Sequence, residues 1–208
     1  MADLIGYISD FGDEYLLWPL IGIGAAILVW QKRFRLAAAW LGLAVASFGT
    51  VLMLKLLLEA CGRHPDHPLY SPSGHTAGAT FVFGGMAVLF FPSALAALPA
   101  AIAVAALIGA TRLFLGAHDL PEVLVGGAIG LGGVAALLLV RLRLEGTAGR
   151  PAASATQICA LFAGCVATTV LLHGVRSPAE RWIEQVSHQF LRPLACSPAT
   201  PDESGGAS

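Results

Sequence analysis

Ser71-Pro72-Ser73-Gly74-His75 opens directly onto Thr76-Ala77-Gly78-Ala79-Thr80-Phe81-Val82-Phe83-Gly84-Gly85-Met86-Ala87-Val88-Leu89-Phe90-Phe91. A polar island meets an uncharged apolar run, and that junction decides the fold. Ser71 is placed to cap a helix, and Pro72 suits the first helical position, where a missing N–H costs nothing. The N–H groups of Ser73, Gly74 and His75 are then orphan donors of the first turn, and Gly74 lets a ligand approach the backbone. Free N–H groups at the positive end of a helix dipole form a seat for phosphate. On these five residues alone, an ordinary capped helix entry with a surface histidine reads equally well.

The surrounding chain is nearly all oil. Its 208 residues are 56% hydrophobic and 12% charged, with a mean hydropathy of +0.74. Soluble domains carry about 25% charged residues, so this composition is that of a membrane protein. The net charge of -1 says nothing about nucleic acid, but no basic patch is large enough to hold a polyanion, so that class of partner is set aside. Met1 to Glu14 is mixed and acidic, without the basic start or cleavage site of a signal peptide. The four cysteines lack metal-ligand spacing. Cys159 and Cys165 lie in an apolar run and are expected in the core. Cys61 and Cys196 form a disulfide only if both face an oxidising compartment.

Six apolar runs follow in order: Tyr15–Trp30, Leu36–Leu58, Thr76–Phe91, Ala94–Leu115, Pro121–Val140 and Thr156–Leu172. Each is 16–23 residues long, against the ~20 that cross a hydrocarbon core as helix. Only helices satisfy their own backbone there segment by segment. The expected fold is therefore all-α, a polytopic membrane six-helix bundle with short amphipathic terminal segments. Residues 1–14 form an interfacial N-terminal segment, 15–173 a six-helix membrane catalytic domain, and 174–208 a polar C-terminal tail. Within that tail, Pro178–Leu191 reads as a surface helix. Gly126, Gly127, Gly130, Gly132 and Gly133 in the fifth run signal close helix packing.

Lys32, Arg33 and Arg35 follow the first run, and Arg141, Arg143 and Arg150 follow the fifth. The positive-inside rule puts both loops in the cytoplasm. The loops around residues 59–75 and 116–120 then share the outer face. From Thr76 to Thr111 is 36 residues, about 54 Å of helix at ~1.5 Å per residue, enough for two crossings. The outer face thus collects Lys55, Arg63, His64, His67, His75, Arg112, His118, Asp119 and Glu122. Ionisable groups at membrane depth are costly and usually functional. Cations and histidines together suit a bound phosphate, although such side chains also snorkel to water at helix ends.

Ser-Pro-Ser-Gly-His at 71–75, followed by Thr-Arg-Leu-Phe-Leu-Gly-Ala-His at 111–118, resembles the type 2 phosphatidic acid phosphatase superfamily. Its membrane lipid phosphatase branch has a site related to that of vanadium haloperoxidases. The resemblance covers roughly Lys55 to Gly133. Three features depart from the family pattern. Thr111 replaces Ser, and Glu122 replaces Asp, with adjacent Asp119 a rival for the same role. Lys55 and Arg63 are one residue further apart, with His64 between Arg63 and Pro65.

The resemblance implies metal-independent phosphatase chemistry with no cofactor. His118 attacks phosphorus to form a phosphohistidine, and Glu122 hydrogen-bonds its other ring nitrogen. Lys55, Arg63, Ser73, Gly74 and Arg112 hold the phosphate oxygens, and His75 protonates the leaving oxygen. The implied partner is a phospholipid or polyprenyl (di)phosphate at the periplasmic face of a bacterial inner membrane. The same residues serve a lipid phosphotransferase. A membrane transporter or a non-catalytic scaffold is the alternative from another class.

Overall fold

The computed structural model describes residues 2–60, 69–91, 97–146, 154–172, 174 and 179–191. Among them the regular structure is entirely helical. Helix α1 spans Ala2–Ser9, and a 3₁₀ turn at Asp10–Gly12 links it to α2, Glu14–Trp30. Then come α3 Phe34–Glu59, α4 Gly74–Phe90, α5 Ala97–Phe114, α6 Leu120–Glu145, α7 Ala155–Leu172 and α8 Ala179–Val186. A π-helical turn at Ser187–Leu191 ends the described chain.

Helices α2 to α7 occupy the six apolar runs. Three of them, α3, α5 and α6, are long and apolar enough to cross a membrane. The α1 and α2 segments, bent by 45° at Asp13, make a fourth if they count as one broken span. Helix α4 has 17 residues, or about 25 Å at 1.5 Å per residue, short of the ~30 Å hydrocarbon core. It has no need to face lipid, because nearly every residue from Thr76 to Phe90 is buried. It is the axis of the bundle, packed by α2, α3, α5 and α6. Helix α7 is its opposite: it packs mainly on α2 and turns most of its surface outward. Cys159 is exposed for that reason, which corrects the expectation that it packs in the core. Cys61 and Cys196 lie outside the described residues.

Glycine sets the α4–α6 distance. Gly126, Gly130 and Gly133 fall on one face of α6, three or four residues apart, as helix neighbours do. A Cβ on Gly126 would collide with the carbonyl of Ser73, and one on Gly130 would lie 2.6 Å from Ala77 O. One on Gly133 would lie 2.6 Å from both Phe81 and Ser47. Small-residue spacing of this kind lets two backbones approach. Lower in the bundle, Trp40 is fully buried. It stacks on Phe81 with ring centroids 4.9 Å apart and donates its indole N–H to Ile21 O at 2.9 Å, tying α2, α3 and α4 together.

The cations used above for orientation are not all loose loop charges. Arg33 Nε donates to Glu145 Oε1 at 2.7 Å, and Arg141 Nε lies 3.6 Å from Glu145 Oε2. Arg141 also donates to the carbonyls of Val88 and Phe91. Two guanidiniums around one carboxylate close this end of the bundle, where the last carbonyls of α4 need donors.

One local expectation is corrected. Helix α4 starts at Gly74 with Ser73 as its cap, not at Pro72 with Ser71. The N–H of Ser73 donates to the carbonyl of Glu122 at 3.0 Å, so it is not an orphan of the helix. Gly126→Ala should lower the unfolding temperature in detergent and reduce the yield of folded protein, at a cost of about 1–3 kcal/mol for an overpacked methyl. Gly132→Ala, where nothing lies within 4 Å of the added atom, is the control and should leave the melt in place.

Candidate active site

Five chain segments end at the same end of the bundle: the start of α2, the end of α3, the start of α4, the end of α5 and the start of α6. Glu122 joins two of them. Its side chain is 1% exposed, and a carboxylate at such depth must be fully hydrogen-bonded. Oε1 accepts from the N–H of Ser71 at 3.0 Å and of Tyr70 at 3.3 Å. Oε2 lies 2.7 Å from His118 Nδ1 and accepts from the N–H of Asp119 at 3.2 Å. Glu122 is the third residue of α6 and reaches back to the capping residue Asp119, as in a capping box. Pro121 sits in the first turn, where no N–H is needed. Asp119 therefore caps the helix, and Glu122 is the carboxylate that meets the imidazole.

His118 is 8% exposed. Its Nδ1 is occupied by Glu122, whereas Nε2 is buried without a hydrogen-bond partner among the described residues. A buried nitrogen in that condition costs free energy unless a ligand uses it. Burial pushes the pKa of His118 below the ordinary 6.5. The Glu122 hydrogen bond opposes that shift, and the charges of Lys55 and Arg112 add to it. The imidazole is neutral at physiological pH as a result, with a lone pair on one nitrogen.

Lys55 is 4% exposed in the last turns of α3. It lines a cavity of about 980 Å³ together with Gly74, His75 and Arg112. A Cβ on Gly74 would meet only Lys55 and Val51 carbons, both at 3.8 Å, so the missing side chain leaves room rather than relieving a clash. Ser73 is fully buried and does not line the cavity. Its Oγ lies 2.9 Å from Thr76 Oγ1 and accepts from the Thr76 N–H at 3.3 Å. Thr111 likewise spends its hydroxyl on its own helix, donating to Ile108 O at 2.7 Å. Arg63, His64 and His67 lie outside the described residues. Among the described residues no group of three or more His, Cys, Asp or Glu side chains forms a metal cage.

Two further features of the cavity have no local sequence signal. One wall is apolar: Val45, Phe48 and Leu52 of α3 with Trp18 of α2. From Lys55 back to Val45 this wall runs for about 15 Å of helix. The other feature is the N-terminal segment. Ser9 Oγ accepts from Arg112 at 3.2 Å, and Asp13 Oδ2 lies 3.9 Å from His75 Nε2. Residues 1–14 read as an interfacial segment in the sequence, yet Ser9 and Asp13 are buried against the site.

Several membrane-length apolar helices, carrying a buried imidazole–carboxylate pair with a buried lysine and a half-buried arginine at one end of the bundle, define a membrane protein with a cationic histidine site. It belongs to the PAP2 superfamily, whose family model matches residues 37–145. That superfamily acts on phosphate esters, often those of lipids, generally as phosphatases. No curated protein and no solved structure matches the chain. The matched region holds every predicted site residue, from Lys55 to Glu122, and leaves out α1, α2, α7 and α8. In an NMR titration of the histidines, His118 should titrate below 6.5. Lys55→Met should move it upward by removing a repelling charge.

Proposed function

We propose that the protein is an integral-membrane lipid phosphatase that forms a phosphohistidine on His118. One observation carries the proposal: Glu122 holds Nδ1 of a buried imidazole while Nε2 has no hydrogen-bond partner among the described residues, with the charges of Lys55 and Arg112 acting on the ring. Nε2 attacks phosphorus, the N–P bond forms, and the bond to the leaving oxygen breaks as His75 gives that oxygen a proton. Glu122 offsets the charge that develops on the ring, the role of the third member of a catalytic triad. A water then attacks phosphorus and gives its proton to His75. The N–P bond breaks, and inorganic phosphate leaves.

Lys55, Arg112 and the N–H groups of Gly74 and His75 hold the equatorial oxygens through the transition state, with Arg63 a further ligand. Ser73 shapes the turn that presents those N–H groups. The chemistry assigned here runs on nitrogen, carboxylate and cationic side chains and is independent of added metal. The apolar wall beside Lys55 supports an amphiphilic substrate, its phosphate at the cations and its chain along Val45, Phe48 and Leu52. Phosphatidic acid, phosphatidylglycerol phosphate, undecaprenyl diphosphate and a lipid A phosphate all have that form. In this reading, residues 15–173 are a six-span catalytic domain in a bacterial inner membrane, residues 174–208 are its tail, and the site faces the periplasm.

Purified protein in detergent should release phosphate from at least one of these four lipids with EDTA present. His118→Ala should abolish release while the protein still folds and extracts normally. Glu122→Gln should slow it by roughly 10²–10⁴-fold, the range for loss of an orienting carboxylate or acid–base group. Because Nε2 must be unprotonated to attack, kcat/KM should hold down to pH 6.5 and fall only below it. Full activity in His118→Ala, or release that requires a divalent cation, would overturn the mechanism.

A further inference from the structure

The roof of the cavity carries Asp3, Asp10, Asp13 and Glu14, four carboxylates facing a site built for an anion. Asp13 is the one whose approach to His75 is set by the backbone before it. Asp13 caps α2, and the two oxygens of its carboxylate face different ways. Oδ1 accepts from the N–H of Tyr15 at 2.9 Å, and Oδ2 lies 3.9 Å from His75 Nε2. The preceding residue fixes this approach. A Cβ on Gly12 would sit 2.8 Å from His75 Cβ and 2.9 Å from its carbonyl, so only glycine lets the turn reach the histidine.

We propose that Asp13 is a positioning residue for His75, keeping it protonated for transfer to the leaving oxygen. This rests on the phosphatase reading above. Lys55 from α3 and Arg112 from α5 line the same cavity as His75, and two fixed cations disfavour a third charge on the imidazole. Within the cavity Asp3, Asp10 and Glu14 share the carboxylate side with Asp13, and Asp13 is held in ion-pair range of the ring. It offsets the imidazolium before the proton moves. After transfer the ring is neutral, and the nearby carboxylate favours its taking the next proton from the attacking water. His118 and Glu122 form one imidazole–carboxylate pair, for the nucleophile. His75 and Asp13 form a second, for the acid, with its carboxylate supplied from outside the region that the family model matches.

The test is Asp13→Asn, because Asn caps a helix as well as Asp does and the substitution removes only the charge. Phosphate release is measured at pH 7.5 on dioctanoyl phosphatidic acid, whose alkoxide must be protonated to leave, and on dinitrophenyl phosphate, whose phenolate leaves without help. The ratio of kcat/KM on the first to kcat/KM on the second, which reads departure of the leaving group and not the later hydrolysis common to both, should fall about tenfold, within the range for general acid catalysis. The ratio should recover as the pH is lowered, since His75 then protonates without its neighbour. Asp13→Glu, which keeps the charge, should recover part of it. An equal loss of kcat/KM on both substrates at every pH marks a structural role and overturns the inference. So does a rise in kcat/KM on both, which marks Asp13 as a competitor for the phosphate site. His118→Ala in the same assay separates the two readings. If it is inactive while Asp13→Asn leaves the ratio unchanged, the role of Asp13 alone fails. If His118→Ala still turns over, the phosphatase mechanism fails first.

Discussion

A carboxylate taken out of water must find hydrogen-bond donors for both its oxygens, and Glu122 finds them in two separate stretches of chain. Backbone N–H groups of Tyr70 and Ser71 come from one, and His118 with the N–H of Asp119 from the other. Its own carbonyl takes the N–H of Ser73. The segment before α4 and the segment before α6 therefore cannot part without leaving a buried charge unsatisfied, a penalty of several kcal/mol. The glycine face of α6 follows from this constraint. The two helices must touch close to their N-terminal ends, and Gly126 is where a side chain would block them.

The two ends of the bundle solve the same problem differently. At one end, Arg33 and Arg141 share Glu145 and reach the last carbonyls of α4, so their donors are used within the bundle and the end is closed. At the other, Lys55, Arg112 and His75 face a cavity whose far side is apolar. There the cations stand beside carboxylates of the N-terminal segment. The closed end holds the frame, and the open end carries the cavity with cations and carboxylates on its walls.

Much of this was legible in the sequence, because hydrophobic runs of membrane length admit few structures. The six runs reappear as α2 to α7, with ends shifted by a few residues. The spacing of His118 and Glu122 fixes their meeting locally, across the turn that starts α6. What was not legible depends on partners far along the chain. Ser73 rather than Ser71 caps α4, since the N–H of Ser73 is taken by Glu122, 49 positions later. Ser9 and Asp13 carry no sign in their own neighbourhood that they meet Arg112 and His75. The outward-facing Cys159 was misplaced because an apolar run looks the same whether its surroundings are protein or lipid.

That ambiguity divides the helices into two kinds. Phe162 and Val170 on α7 are largely exposed, and what they answer to is a solvent, so any apolar residue serves there. On α4 the neighbours are particular atoms: a Cβ on Gly84 would lie 2.6 Å from Ala101 Cβ, and one on Gly85 would run into the ring of Trp40. Random apolar substitution should therefore leave the rim of the molecule nearly untouched and be eliminated along its axis. The tolerance map so obtained would trace which helix is the hub without reference to any catalytic residue.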